Sequence, residues 1–166
     1  LDGMLLNIDN NEIWTKLIGE FNAYNILAIY SLGKIYELDT IRLLKTISEL
    51  ENVQGRLQSF ITKNKITVIV DYAHTPDALE NVLKTINKIR TVGQKLITVV
   101  GCGGDRDTKK RPLIGNLVSE LSSYVIFTSD NPRSENPNEI LDQILLGVSA
   151  TNSKKTDVIV KREKAI

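Results

Sequence analysis

The sequence predicts an α/β fold in which a mostly parallel sheet is flanked by helices. From Lys65 onward, short apolar runs alternate with longer segments whose apolar residues recur at helical spacing. Strands that alternate with helices of this length form parallel sheets joined by right-handed crossovers. Three of the apolar runs are followed by clusters of polar residues, and ligands bind outside the carboxyl ends of the strands in open α/β sheets. We therefore expect the three clusters to face one edge of one sheet and to form a site.

The first fifty residues predict a different arrangement, a hairpin followed by two helices. Residues 3–8 and 12–18 are strand-like runs on either side of a turn-rich triplet. Residues 22–35 carry apolar side chains on nearly every side, a pattern that is typical of a buried helix. Asp39 is expected to cap a second helix. The inner face of that helix is predicted to hold Ile41, Leu43, Leu44 and Ile47.

A domain boundary is predicted near residue 53. Residues 51–59 lack a sustained period and include Gly55, and the alternating pattern begins beyond them. Residues 1–52 are therefore assigned to the end of one domain and residues 53–166 to a second. Because the chain begins with Leu1 and ends within an element that has no stop signal, we interpret it as a piece of a longer protein, with the second domain incomplete at its C-terminus.

The elements of the second domain follow one another in a regular order. Thr75 is a suitable N-cap for a helix with Pro76 at its first position, and Asn136 and Glu139 are spaced like a capping box. The predicted strands are 66–70, 96–100, 124–128 and, opening a fourth unit, 157–160. The predicted helices are 76–90, with Leu79, Val82, Leu83 and Ile86 inward; 110–121, with Leu113, Ile114, Leu117 and Val118 inward; and 137–148, with Ile140, Leu141, Ile144 and Leu145 inward.

Composition limits the classes of partner and compartment. The 166 residues include 21 basic and 20 acidic side chains, so the net charge of +1 gives no indication of a nucleic-acid or membrane partner. No run approaches the roughly 18 apolar residues of a membrane span, and no signal peptide is evident. A single cysteine, Cys102, excludes an intramolecular disulfide and fits a reducing compartment. We expect a cytoplasmic protein, in which Cys102 is not a nucleophile.

The first polar cluster, Val70–Asp77, contains the only histidine of the chain. At a strand tip, the carboxylate of Asp71 could accept two hydroxyl hydrogen bonds from a ribose, and the His74 imidazole could meet a base or a phosphate. Equally, Asp71 could cap a turn and His74 could be a surface residue.

The second cluster, Gly101–Asp107, is rich in glycine and predicts an anion-binding loop. Its glycines allow close backbone approach to a ligand, and Arg106 adds a cation, followed by Lys109, Lys110 and Arg111. The spacing matches neither the dinucleotide fingerprint nor the phosphate loop G-x-x-x-x-G-K-[ST]. A glycine-rich turn with solvated charges is the alternative.

The third cluster, Asp130-Asn131-Pro132-Arg133, offers an acid, an amide and a guanidinium. An acid that pairs with an ammonium group and an arginine that binds a carboxylate through two hydrogen bonds would suit an amino-acid ligand. A polar turn before a helix is the alternative. Asn22 and Asn25, three residues apart at a helix start, could pair with a base edge or could serve as caps.

Taken together, these strings resemble the Mur ligase superfamily, the ATP-dependent amide-bond ligases of bacterial cell-wall synthesis. Five strings occur in the order and spacing of that family across residues 17–147: 19–25, 53–56, 71–79, 101–107 and 130–133. The resemblance implies the end of a central ATPase domain followed by most of a Rossmann-like C-terminal domain. The phosphate loop and the groups that hold Mg²⁺ would lie outside this chain, which alone would be inactive.

The resemblance also implies roles for individual residues. Those that match ATP-binding positions are Asn22, Asn25, Arg56, Asp71 and His74. Those that match positions for the incoming amino acid are Arg106, Asp130, Asn131 and Arg133. Members with Asp-Asn-Pro-Arg add meso-diaminopimelate to a UDP-muramoyl dipeptide through an acyl phosphate, and we expect these substrates here and a monomeric enzyme.

Arg133 distinguishes between the members of the superfamily. Diaminopimelate is lysine with a second carboxylate. The planar guanidinium of Arg133 would bind that carboxylate through two hydrogen bonds. A site that leaves such a buried polar group without its partner can disfavour the wrong substrate by about 10⁴-fold. The alternatives are a lysine-adding ligase, a folylpolyglutamate or cyanophycin synthetase, and a nucleotide-binding homologue without chemistry. Arg133 disfavours the lysine enzyme, and the loop Gly101–Asp107 disfavours the remote ones.

Overall fold

A computed structural model describes residues 3–166 and divides the chain into two compact units, Leu1–Tyr72 and Ala73–Ile166. Each unit has its own core, and the predicted strands and helices occur in the predicted order along the chain, together with an unpredicted strand at Gln58–Ile61 and an unpredicted 3-10 helix at Asn152–Lys155. The predicted boundary near residue 53 concerns the division of the longer protein into domains, and it stays a prediction.

The first unit begins with the expected hairpin. Strands β1 (Met4–Ile8) and β2 (Asn11–Thr15) pair antiparallel, with Met4 opposite Thr15 and Ile8 opposite Asn11. Asp9 and Asn10 form the two-residue turn, both with positive φ, as in the turns that match the twist of hairpin strands. The turn chemistry therefore fixes the register of this hairpin.

Two helices complete the core of the first unit. Helix α1 (Glu20–Ile35) starts two residues before the predicted position, and α2 (Thr40–Ser48) is capped by Asp39, which accepts from the amide of Arg42 at 2.8 Å. The side chains that form the core are Ile13, Ile26, Tyr30, Leu43, Leu44 and Ile47.

Two predictions for these helices are wrong. Helix α1 is buried along one stripe, at Ile26 and Tyr30, while Leu32 on another side is exposed, so it is not buried on all sides within this unit. Ile41 is 78% exposed, although Leu43, Leu44 and Ile47 are buried as expected.

The second unit contains the predicted parallel sheet. Strands β5 (Ile97–Val100), β6 (Tyr124–Phe127) and β7 (Thr156–Val158) are parallel in that order. Helices α3 (Pro76–Ile89), α4 (Lys110–Leu121), α5 (Pro137–Leu145) and α6 (Arg162–Ala165) and a 3-10 helix (Asn152–Lys155) connect or follow them. The sheet and helices enclose an apolar core of Leu79, Leu83, Val100, Ile114, Val118, Val125, Phe127, Ile140, Leu141 and Ile144.

The caps of these helices largely follow the sequence. The Thr75 hydroxyl accepts from the amide of Ala78 at 3.3 Å, and the Asn136 side chain accepts from the amide of Asn138 at 2.9 Å. Leu113 is 58% exposed, contrary to the prediction, whereas Ile114 and Val118 are buried. Helix α5 ends at Leu145 rather than at residue 148, because the chain turns through Gly147.

The run before the first polar cluster does not start the parallel sheet. It forms β4 (Thr67–Val70), which pairs antiparallel with β3 (Gln58–Ile61) in the first unit. A tight turn explains the difference, since the amide of Thr62 donates to the carbonyl oxygen of Ile66 at 2.9 Å and Lys65 has a φ of 61°. A short strand thus begins at the end of the segment that lacked a sequence period.

Within residues 3–166, none of the helices is long and apolar enough to cross a membrane.

Candidate functional site

Two of the predicted polar clusters lie at the same edge of the parallel sheet. The glycine loop (residues 101–107) follows β5, and the Asn-Pro loop (residues 130–133) follows β6 after two residues. Val100 and Phe127 are partners in the parallel register, so both loops leave the carboxyl ends of neighbouring strands. This is the edge at which ligands bind in open α/β sheets.

The two loops touch through their backbones. The amide of Gly104 donates to the carbonyl oxygen of Asn131 at 2.9 Å. A side chain at Gly104 would overlap the carbonyl oxygen of Pro132, and one at Gly101 would overlap that of Thr128. The glycines therefore serve first to bring the two loops into contact, a requirement that the spacing alone did not reveal.

Arg133 reaches back from the Asn-Pro loop to the glycine loop. Its backbone is left-handed, with a φ of 51°, and its Nη1 donates to the carbonyl oxygen of Gly104 at 2.7 Å. A Cβ added to Gly103 would lie 2.9 Å from the same nitrogen. The guanidinium of this exposed residue is thus held over the glycine loop, where Arg106 is also exposed. Two cations of the predicted amino-acid site therefore belong to loops that contact each other.

Asp130 faces a cation that the sequence analysis did not identify. Arg162, at the start of α6, places Nη2 3.6 Å from Asp130 Oδ1 and donates from Nε to the carbonyl oxygen of Ser129 at 3.3 Å. Both side chains are partly exposed, so the pair adds little to stability.

Arg111 is not the ligand-facing cation that the sequence suggested. Its side chain is 1% exposed and forms a two-pronged ion pair with Glu135, from Nη1 to Oε2 at 2.7 Å and from Nη2 to Oε1 at 2.8 Å. Arg111 lies on the buried face of α4 with Ile114, Gly115 and Val118. That spacing was visible in the sequence, and it is the signal that places Arg111 inside.

Cys102 lies in the glycine loop but does not carry a reactive thiol. Burial raises the pKa of Cys102 to about 11, although the charge of Arg111 acts in the opposite direction. The thiolate is the nucleophilic form, so the thiol is inert at neutral pH.

The predicted nucleotide-binding residues fall mainly in the first unit. Arg56 stacks on the ring of Tyr72, with its guanidinium carbon 4.4 Å from the ring centroid. One oxygen of Asp71 accepts from the amide of Leu57 at 2.8 Å, and Leu57 is 1% exposed with a φ of 44°. Asp71 therefore stabilises the turn that carries Arg56, whatever else it binds.

The two asparagines contact each other at the start of α1. Asn25 Nδ2 donates to Asn22 Oδ1 at 3.1 Å, and Asn22 Nδ2 donates to the carbonyl oxygen of Ile18 at 2.8 Å. His74 is exposed and belongs to the second unit. Among residues 3–166, there is no group of three histidine, cysteine or acidic side chains that could hold a metal ion.

Comparison with known proteins connects this geometry to a family. The family model described as "Mur ligase, glutamate ligase domain" matches residues 55–166. A protein from Cytophaga hutchinsonii called UDP-N-acetylmuramoyl-L-alanyl-D-glutamate--2,6-diaminopimelate ligase is 44% identical over 166 residues, which are 100% of this chain and 34% of that protein. The chain thus spans about a third of the length of the curated relatives that it matches.

Solved structures share the fold. One of a UDP-N-acetylmuramoyl-L-alanyl-D-glutamate--2,6-diaminopimelate ligase matches with a TM-score of 0.63 at 35% identity, over 97% of this chain and 33% of that one. A Mycobacterium tuberculosis folylpolyglutamate synthase matches with a TM-score of 0.75 over 99% of this chain and 37% of that one, and at 20% identity this likeness concerns the fold alone.

Proposed function

Since the chain belongs to the Mur ligase family, we propose that the intact protein is an ATP-dependent ligase of peptidoglycan synthesis. It adds meso-diaminopimelate to the glutamate of UDP-N-acetylmuramoyl-L-alanyl-D-glutamate. The names of relatives at 41–46% identity support this assignment. The chain contains no G-x-x-x-x-G-K-[ST] loop, so the 166 residues alone are not expected to catalyse the reaction.

The observation that carries the proposal is the position of Arg133 over the glycine loop. Its hydrogen bond to the Gly104 carbonyl holds the exposed guanidinium beside the loop that contains Arg106. Diaminopimelate carries two carboxylates, which suits two cations, and its ammonium groups suit the Asp130 carboxylate. The Asn131 amide can add a further hydrogen bond. L-Lysine would leave one arginine without its carboxylate.

The donor set of the first unit fits a nucleotide. The amides of Asn22 and Asn25 can hydrogen-bond to the edge of a base, and the Asp71 carboxylate can accept hydrogen bonds from ribose hydroxyls. The guanidinium of Arg56 can pair with a phosphate. His74 is assigned to the same ligand, as a donor to the phosphates or the base. ATP supplies the phosphoryl group that activates the glutamate carboxylate when it is bound, and Mg²⁺ would be held by residues beyond this chain.

The second unit then has a defined task, which is to deliver the nucleophile. Asp130 and the arginines of the two loops fix the ends of diaminopimelate, so that its amino group is oriented toward the activated carbonyl carbon. The amine forms the amide bond as inorganic phosphate leaves. In this assignment residues 1–52 end the ATP-binding domain, residues 53–166 belong to the amino-acid domain, and the enzyme is cytoplasmic and monomeric.

Phosphate release by the full-length gene product tests the proposal. The protein would receive ATP, magnesium and the UDP-muramoyl dipeptide, with meso-diaminopimelate in one reaction and L-lysine in the other. Release that depends on diaminopimelate is the expected result. Release with lysine alone would contradict the assignment of Arg133. Absence of release in both reactions would exclude both ligases and favour a different member of the superfamily or a nucleotide-binding homologue without chemistry.

A further inference from the structure

We propose that Arg111 and Glu135 form a positioning pair that sets the two substrate arginines, Arg106 and Arg133, relative to each other. The inference rests on the proposed function, because it assigns the pair to the diaminopimelate site. Neither member of the pair needs to touch substrate. Both residues act through the backbone of the glycine loop and the Asn-Pro loop, which carry the arginines assigned to the substrate.

The pair itself is buried and geometrically specific. Arg111 is 1% exposed, and its two terminal nitrogens lie 2.7 and 2.8 Å from the two carboxylate oxygens of Glu135. Nη1 also donates to the side chain of Gln143 on α5 at 2.8 Å. A two-pronged contact of this kind requires the planar fork of arginine, which lysine cannot reproduce. It locks a residue of α4 to one that is 24 positions further along the chain.

Two hydrogen bonds connect the pair to the glycine loop, and a third joins that loop to Ser134. Arg111 Nη2 donates to the carbonyl oxygen of Gly103 at 3.2 Å, and Glu135 Oε1 accepts from the amide of Asp105 at 2.5 Å. The Asp105 carboxylate in turn accepts from the hydroxyl of Ser134 at 2.6 Å. Asp105 has a φ of 52°, a left-handed conformation that needs such support in a residue other than glycine. The backbone that enters Arg106 is therefore fixed by Glu135.

The other end of the network fixes Arg133. Glu135 follows Arg133 by two residues, and its amide donates to the carbonyl oxygen of Pro132 at 3.0 Å, which closes a turn around Arg133. The left-handed φ of Arg133, 51°, lies within that turn. Glu135 thus restrains the residue before Arg106 through its carboxylate and closes the turn that contains Arg133 through its backbone amide.

Stability alone does not account for this arrangement. Apolar residues of similar volume often replace a buried ion pair without loss of stability. An apolar pair, however, could not accept the amide of Asp105 or donate to the carbonyl of Gly103. The polar network therefore determines the conformation of the loops, and a small displacement of either arginine would weaken capture of the amino acid.

The test compares variants of the full-length protein. Arg111→Lys keeps the positive charge but loses the fork, and Glu135→Gln keeps the shape but loses the charge. Each should raise KM for meso-diaminopimelate about tenfold or more while KM for ATP changes less than about twofold, because only the amino-acid loops are displaced. Glu80→Gln and Lys84→Gln, which break an exposed ion pair on α3, are the matched controls and should change neither constant.

A second readout follows the loops themselves. Amide hydrogen exchange of residues 101–107 and 131–135 should become faster in Arg111→Lys and Glu135→Gln than in the wild type and the controls. A purely structural role predicts a different pattern, in which the melting temperature and kcat fall while KM for diaminopimelate stays constant. That pattern, or unchanged exchange in the two loops, would overturn the positioning role.

The two hypotheses fail in different experiments. A wild-type protein that releases no phosphate with diaminopimelate overturns the proposed function, and with it the assignment of the pair to that substrate. An active wild type whose variants keep their KM for diaminopimelate overturns the positioning role alone. Should Arg111→Lys not fold, the isosteric Glu135→Gln gives the same comparison.

Discussion

Arg133 donates a hydrogen bond of 2.7 Å to the carbonyl oxygen of Gly104, so the arginine that we assign to diaminopimelate is anchored to the neighbouring loop. An arginine that is held in this way loses less side-chain entropy on binding than one that moves freely. The same bond joins the two loops that follow β5 and β6. On the proposed assignment, recognition of diaminopimelate and the geometry of the two loops are therefore coupled at Arg133.

Arg133→Ala should weaken capture of the amino acid selectively. Removing the guanidinium leaves a substrate carboxylate without its partner, so KM for meso-diaminopimelate should rise about a hundredfold or more. KM for ATP should stay within about twofold, since ATP is assigned to other residues. Steady-state kinetics of the full-length protein with each substrate varied in turn would measure both. Equal changes in the two constants would contradict the assigned role.

Gly103→Ala should displace Arg133 without straining the backbone. The added methyl group would lie 2.9 Å from Arg133 Nη1, and the end of a flexible side chain can shift by a few tenths of an ångström. We expect KM for diaminopimelate to rise by a smaller factor than in Arg133→Ala, with little change in melting temperature. Gly93→Ala is the control, because it introduces a side chain at a φ of 90° in open space. It should lower stability by about 1 kcal/mol and leave KM unchanged.

The parts of this fold that follow from local chemistry could be predicted from the sequence. The caps at Asp39, Thr75 and Asn136 depend on neighbouring amides, and the structure contains all three. The position of β4 could not be predicted, because its partner β3 gives no periodic signal and is brought to it by a turn through Lys65.

The site was predicted in part for the same reason. Strand order places the glycine and Asn-Pro loops at one edge of the sheet. The contacts of Arg111 depend on a residue 24 positions away, so its charge was assigned to the anion-binding loop although its spacing from Ile114 and Val118 indicated the core. Arg162 was missed because it follows the last strand, where no motif marks it.

Asp71→Asn and Asp71→Ala should separate the structural role of this residue from its role with ATP. Asparagine keeps an oxygen that can accept from the amide of Leu57, whereas alanine leaves that buried amide without this acceptor. Asp71→Ala should therefore cost about 1.5–3 kcal/mol of unfolding free energy, and Asp71→Asn clearly less. Both should raise KM for ATP if the carboxylate binds the ribose. Urea unfolding and ATP kinetics of the full-length variants would check this. An unchanged KM for ATP in both variants would show that Asp71 stabilises the turn and does not bind ATP.

Cys102 should react slowly with thiol reagents in the folded protein. Burial raises its pKa to about 11 from the ordinary value of 9.0, so at pH 8 the thiolate fraction is about a hundredfold lower than for a free thiol. Ellman's reagent should react with the native protein at least about a hundredfold more slowly than with the protein in urea. Equal rates would show that the thiol is accessible and that the glycine loop opens readily.

Glu135 should make stability depend on pH in the acid range. Hydrogen bonds from Arg111 and from the amide of Asp105 hold the pKa of Glu135 at about 2, below its ordinary value of 4.5. Because the folded-state pKa is the lower one, the carboxylate stabilises the fold fully above about pH 4.5, and this contribution is lost as the pH falls toward 2. Glu135→Gln should therefore lower the urea midpoint of the second unit at pH 7, and its difference from the wild type should shrink between pH 4.5 and pH 3. Glu80→Gln, on the exposed face of α3, should leave the midpoint nearly unchanged at either pH. A difference between wild type and Glu135→Gln that stays constant over this range would show that the contacts with Arg111 and Asp105 do not lower the pKa of Glu135.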